Sequence, residues 1–218
     1  MMPELRVHKE PQVSDGSSNL SSEVDSFVGR WSELSTLTEH LVHGQTRIMT
    51  LLGLGGTGKT RLSQRFTLLS LDEFAGGAWF CDLSAARDKE GIVGEVASAM
   101  GVPLRDRDAV TQLGQAMASR GETLIVLDNF EQLVEHAEST LSAWSTLAPK
   151  ARFLVTSRRR LGVRGEHVME LQPLSLDEGV QLFMDRARAV KPRLQLDPET
   201  EPIIREIVQR LECMSLAI

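Results

Sequence analysis

Residues Gly53-Leu54-Gly55-Gly56-Thr57-Gly58-Lys59-Thr60 (GLGGTGKT) follow directly on the apolar run Ile48–Leu52 (IMTLL) and lead into a segment of helical spacing. Glycines this dense let backbone N–H groups turn inward without Cβ clashes and form a nest for anionic oxygens. A helix opening near Lys59 adds its unpaired N–H groups and the positive end of its dipole. Lys59 then reaches the β- and γ-phosphates of a bound triphosphate, and the Thr60 hydroxyl ligates Mg²⁺. Gly53, Gly55, Gly56, Thr57 and Gly58, with Lys59, Thr60 and Arg61 in the first helical turn, are therefore the candidate phosphate-binding residues.

The pattern around this loop alternates. Strands are predicted at Ile48–Leu52, Ala78–Leu83, Thr123–Asp128, Arg152–Thr156 and His167–Leu171. Helices are predicted at Lys59–Leu71, Ile92–Met100, Ala109–Ser119 and Glu131–Leu147, and Leu34, Leu37 and Leu41 mark another before the first strand. Thr123–Asp128 (TLIVLD) is a continuous apolar run ending in an acid, as suits a strand buried on both faces of a parallel sheet. Strands alternating with helices imply parallel strands joined by right-handed crossovers. From Ser175 onward the pattern is helical only, with segments at Asp177–Val190 and Pro198–Leu211 opened by acidic first turns.

The predicted fold class is thus α/β: a parallel sheet with helices on both faces, followed by the start of a helical lid. Residues 1–25, rich in Ser, Pro and charge, read as a tail or linker. Residues 26–172 read as the nucleotide-binding domain and residues 173–218 as a partial lid.

Parallel strands all point the same way, so Asp128 ends on the same sheet edge as the glycine loop. There it holds a water of the Mg²⁺ shell. Arg158 follows the strand ending in Val155-Thr156-Ser157 and emerges on that edge too, where a guanidinium distinguishes triphosphate from diphosphate. Asn129 stands next to Asp128, where a water-activating glutamate is common in fast phosphohydrolases. Without that base hydrolysis is expected to be slow, unless Glu131 assists.

Composition narrows the remaining classes. The chain has 218 residues, 41% of them hydrophobic and 25% charged, with a net charge of −6. That balance fits an ordinary soluble domain and argues against broad capture of nucleic acid or anionic lipid. Arg158, Arg159 and Arg160 form the sole basic run, which reads as a solvated face. Two distant cysteines, Cys81 and Cys213, read as reduced thiols. His40 and His43 lie one turn apart but have no third ligand near them in sequence. With no signal peptide and no membrane-spanning run, the expected location is cytoplasmic.

The motifs in their order resemble the nucleotide-binding module of STAND-class P-loop ATPases, and more narrowly the NB-ARC-like modules of bacterial signalling and transcriptional regulators. Residues 19–30 (NLSSEVDSFVGR) match that family's leading motif, GLGGTGKT its Walker A, and residues 124–133 (LIVLDNFEQL) its Walker B. Residues 154–163 (LVTSRRRLGV) match its sensor strand, and residues 170–183 (ELQPLSLDEGVQLF) the passage into its lid. The resemblance implies an ASCE-type sheet and binding of ATP or ADP with Mg²⁺. It places Phe27, Val28, Gly29 and Arg30 beside the adenine and Ser215 near the nucleotide. It gives catalytic roles to Lys59, Asp128 and Arg158. It also implies flanking winged-helix and sensor-repeat domains in a longer protein, and self-association in the ATP state.

The chain departs from that pattern at Trp31, where the family carries Glu. It departs again at Cys213-Met214-Ser215-Leu216-Ala217-Ile218, where the family's Gly and Pro are absent. Alternatives are a nucleotide or small-molecule kinase, which needs a lid rich in arginine, and a degenerate scaffold, against which Lys59, Thr60 and Asp128 argue. A GTPase lacks support, since no Asn-Lys-x-Asp element follows any strand.

Overall fold

The computed structural model describes residues 18–20, 27–105, 108–192 and 197–218. Most of the predicted tail, residues 1–25, lies outside the described residues. Five strands form one sheet: β1 (Ile48–Leu52), β2 (Ala78–Asp82), β3 (Leu124–Asp128), β4 (Arg152–Ser157) and β5 (Glu166–Glu170). Every pairing is parallel and the spatial order is β2-β3-β4-β1-β5. The strand that starts the glycine loop is therefore separated from the acid-tipped β3 by β4, the strand order of an ASCE-type P-loop fold. Every strand's carboxyl end lies on one edge.

Side-chain alternation explains why β3 is apolar throughout. Ile125 and Leu127 enter one core, with α3 (Lys89–Met100), α4 (Ala109–Arg120) and α5 (Ala143–Leu147). Leu124 and Val126 enter the other, against α1 (Trp31–Leu37) and α2 (Lys59–Leu69). Both faces are thus covered, and no position on β3 is left for a polar side chain until Asp128. The outer edge of β2 is met by Ser18, which bridges Ala78. The Asn19 amide there exchanges bonds of 2.7 and 2.8 Å with the Phe80 backbone.

Two expectations are corrected. The helix predicted at Glu131–Leu147 is broken into 3₁₀ turns at Phe130–Gln132 and Val134–His136, a π turn at Glu138–Ser142, and α5. Phe130, Leu133, Ala137, Leu141, Trp144 and Ala148 are all fully buried. Their steps of three and four keep one face inward, and a 3₁₀ or π turn satisfies such steps as readily as an α turn. Helix α2 also stops at Leu69 rather than about Leu71: Ser70 has left the helical region, φ −105° and ψ 7°, and a 3₁₀ turn follows at Leu71–Glu73.

Beyond β5 the chain forms α6 (Leu176–Val190) and α7 (Thr200–Arg210), which pack on each other through Val180, Met184, Ile204 and Val208. Helix α6 opens with a capping box. The Ser175 hydroxyl accepts from the Glu178 N–H at 3.2 Å, and Glu178 Oε2 accepts from the Ser175 N–H at 2.9 Å. Ser175→Ala is expected to weaken this end by about 1 kcal/mol, read as faster amide exchange in the first turn of α6.

Candidate functional site

The loop between β1 and α2 lies on the sheet's carboxyl edge, with Gly58 as the N-cap of α2 at φ 94°. An L side chain there would be strained, so glycine is what lets the loop turn into the helix. The Lys59 ammonium folds along the loop and donates to the carbonyls of Gly53 at 2.9 Å and Leu54 at 2.8 Å. Burial pushes its pKa down, Glu131 pulls it up and Arg158 pushes it down again.

Behind the loop, the Thr60 hydroxyl donates to the Asp128 carboxylate, 2.9 Å from both oxygens. Asp128 is 2% exposed, and Thr156 donates to its Oδ1 at 2.6 Å. Burial raises the Asp128 pKa, the Thr156 and Thr60 hydroxyls oppose it, and the charges of Asp82 and Glu131 add to it. Asn129 has a left-handed backbone, φ 64°. Its amide donates to Asp128 at 3.1 Å and to Asp82 at 3.0 Å. A hydroxyl and a carboxylate are the hard oxygen donors magnesium takes. Among the described residues no three His, Cys, Asp or Glu side chains converge as a cage. The pair therefore fits a magnesium that takes its other ligands from phosphate and water.

A cleft of about 860 Å³ opens over this edge. Gly55, Gly56, Thr57, Gly58, Lys59, Thr60, Arg61 and Arg158 line its floor and side together with Asn129 and Glu131, and Phe27, Val28, Arg30 and Ser215 also line it. Of the residues predicted from sequence, Gly29, Gly53 and Asp128 stand outside the lining. Gly53 instead accepts from Lys59, and Asp128 lies behind Thr60 and Asn129, which line the cleft and bond to it. Arg158 pairs with Glu131, Nε to Oε1 at 3.2 Å. Arg160 is exposed and pairs with Glu170 at 3.2 Å. His40 bonds Thr46 at 3.0 Å rather than pairing with His43 in a site.

The cleft's far wall was missed in the sequence. It is formed by Leu174, Leu182, Asp185, Arg186 and Ala189, with Arg188 and Leu216. The spacing 182, 185, 186, 189 is one face of a helix and was the available signal. Leu182 packs with Val28 and Leu174, where the segment preceding α1 meets α6. The arrangement is chemically legible: a cation-rich, glycine-lined floor suited to phosphates, a hydroxyl–carboxylate pair suited to a cation, and an apolar part of the lining at Phe27, Val28, Leu174 and Leu182.

Comparison with known proteins agrees with this geometry at the level of family. The model of the family described as "AAA domain" matches residues 42–160. An uncharacterized protein of Mycobacterium tuberculosis is 29% identical over 209 residues, covering 95% of this chain and 53% of that protein. A putative HTH-type transcriptional regulator of the same organism is 33% identical over 176 residues, covering 80% of this chain and 20% of the regulator. The chain thus spans about half the length of the first relatives it matches and a fifth of the second. A solved structure, the Signal Transduction ATPase with Numerous Domains (STAND) protein with a tetratricopeptide repeat sensor from Pyrococcus horikoshii, superposes with a TM-score of 0.53. That match is at 18% identity and covers 88% of this chain and 29% of that one. No described helix is long and apolar enough to cross a membrane.

Proposed function

Because this chain belongs to the AAA domain family of P-loop NTPases, we propose that it is the nucleotide-binding switch module of an NB-ARC-like, STAND-type regulator. It exchanges ADP for ATP and hydrolyses ATP slowly with Mg²⁺. The observation that carries this reading is the composition of the cleft. Its walls come from the glycine loop, from the segment before α1, and, after β5, from α6 and the turn at Ser215–Leu216. A nucleotide filling it touches all three, so its presence and phosphate count bear on how they sit together. Residues 26–172 act as the catalytic body and residues 173–218 as part of a lid. Regulators among the relatives, matched over a fraction of their length, support flanking domains and a role in transcriptional control. Assembly in the ATP state and a cytoplasmic location complete the proposal.

In this reading Phe27, Val28 and Gly29 flank the base, the loop N–H groups and Lys59 hold phosphate, and Arg158 meets the γ-phosphate. Thr60 and Asp128 would hold a magnesium ion, which would supply neutralising charge to the bound phosphates. Nucleotide at about 100 times its Kd adds about 2.7 kcal/mol to stability, or roughly 5–10 °C in melting temperature for a chain of this size. ADP and ATP are expected to give that shift and GTP none. An equal shift with GTP, or none with adenine nucleotides, overturns the reading.

One observation favours a second reading. Arg186 and Arg188 line the cleft from α6, and a kinase needs such arginines on its lid. Transfer of the ATP γ-phosphate to a nucleoside monophosphate rather than to water would establish it.

A further inference from the structure

Arg30 occupies a motif whose resemblance placed it beside the base, and it borders the cleft, yet its guanidinium is taken up by protein acceptors. The residue is 6% exposed and its backbone is left-handed, φ 65°. Nη1 donates to Glu33 at 2.7 Å. Nη2 donates to the Thr57 carbonyl at 3.1 Å and to the Gln172 carbonyl at 2.7 Å. The Arg30 N–H donates to Glu178 Oε1 at 3.4 Å, and Glu178 closes the capping box of α6. Gly29, just before it, lies so close that a Cβ there would collide with the Glu178 carboxylate. Burial pushes the Glu178 pKa up, but bonds from Ser175 and Arg30 outweigh it and hold the carboxyl below its ordinary value. One residue therefore ties together the start of α1, the glycine loop, the exit from β5 and the first turn of α6.

The lid grips the same loop from its other end. The Leu216 N–H donates to the Gly56 carbonyl at 3.1 Å. The Ser215 hydroxyl donates at 3.4 Å to the Thr57 carbonyl that Arg30 also holds. A peptide unit is planar. The Gly56 carbonyl and Thr57 N–H share one plane, and the Thr57 carbonyl and Gly58 N–H share the next. A phosphate that aligns those N–H groups must also set the carbonyls that Arg30, Ser215 and Leu216 hold.

We propose that Arg30 is a positioning residue, a buried strut that couples the phosphate loop to the lid through these two shared peptide planes, and not a ligand of the nucleotide. The proposal rests on the nucleotide-binding reading above and adds how occupancy of that site reaches the lid.

Amide exchange tests it, first in nucleotide-free protein and then with ADP. A lysine keeps the charge but presents a single ammonium that cannot span Glu33 and both carbonyls. In nucleotide-free Arg30→Lys, the Leu216 amide is expected to exchange about tenfold faster than in the wild type, as loss of a charge-assisted bond implies. The amides of β3 serve as the control for the global fold. ADP should slow Leu216 exchange in the wild type and fail to do so in Arg30→Lys, while still raising that variant's melting temperature.

Wild-type Leu216 exchange in Arg30→Lys overturns the proposal. So does lost ADP binding with Leu216 protection intact, which would make Arg30 a nucleotide ligand. If the wild type binds no ADP, the functional reading fails, and the nucleotide-free comparison still decides the strut. If the β3 amides show that Arg30→Lys does not fold, Glu178→Gln takes its place. It is expected to speed Leu216 exchange about threefold by weakening the acceptor of the Arg30 N–H, and an unchanged rate overturns the proposal.

Discussion

Lys59→Ala is expected to abolish the melting-temperature rise that ADP produces in the wild type, about 5–10 °C at saturating ligand. The ammonium lies 2.9 and 2.8 Å from the Gly53 and Leu54 carbonyls, at the head of the loop whose N–H groups would take the phosphates. Alanine removes the one side chain that neutralises phosphate charge from within the loop. It also removes a positive charge that interacts with Glu131, leaving Arg158 as the counter-charge Glu131 keeps. The corner becomes more negative just where an anion must dock, so both changes act in the same direction. The nucleotide-free variant should melt near the wild type. The bonds it loses run to carbonyls at a partly exposed loop, and Leu54 is 70% exposed, so water replaces the ammonium at little cost. Melting curves with and without ADP separate the two effects. A rise of wild-type size in Lys59→Ala would remove this lysine from the phosphate site.

Much of this architecture could be read along the chain because burial on both faces leaves a one-dimensional trace. Leu124 to Leu127 are apolar at every position, since successive side chains enter opposite cores, and the first acid after them marks the strand's end. The glycine loop is equally local as a signal: its turns need glycines at fixed offsets, which the sequence displays directly. The segment after Asp128 misled for a physical reason. Steps of three and four apolar residues determine which face is inward but not how many residues close each hydrogen-bonded ring, so an α-helix was expected where 3₁₀ and π turns occur. The partners of Arg30 were illegible for a different reason. Two are backbone carbonyls, at Thr57 and Gln172, and a carbonyl belongs to every residue and leaves no compositional mark. The cleft wall on α6 lay between these cases. Its face was periodic, but only the docking of α6 near Val28 shows which face looks inward.

Glu131→Gln is expected to lower single-turnover ATP hydrolysis by about 10²-fold or more, while ATP still raises the melting temperature. General-base assistance contributes about 10²–10⁴-fold, and the residue next to Asp128 cannot supply it. Asn129 has no basic side chain, and its amide is committed to Asp128 and Asp82 at 3.1 and 3.0 Å. The left-handed backbone at Asn129 and the 3₁₀ turn that follows carry Glu131 into the cleft instead. There its carboxylate lies 3.2 Å from Arg158 Nε, the side chain that the proposed reading assigns to the γ-phosphate. The substitution has a competing effect: it releases Arg158, whose side chain is 62% exposed, to pair with the γ-phosphate. Only the Arg158 end of this pair is exposed, Glu131 being 19% exposed, so the pair contributes on the order of 1 kcal/mol, a few-fold in affinity, and the loss of the base dominates. The same reasoning separates the two partners. Arg158→Ala should narrow the difference between ATP and ADP affinity, whereas Glu131→Gln should leave or widen it and slow the chemical step. Release of γ-phosphate in a single turnover, measured beside melting curves with each nucleotide, reads both. Hydrolysis at the wild-type rate in Glu131→Gln would place the base outside this chain's β3 edge.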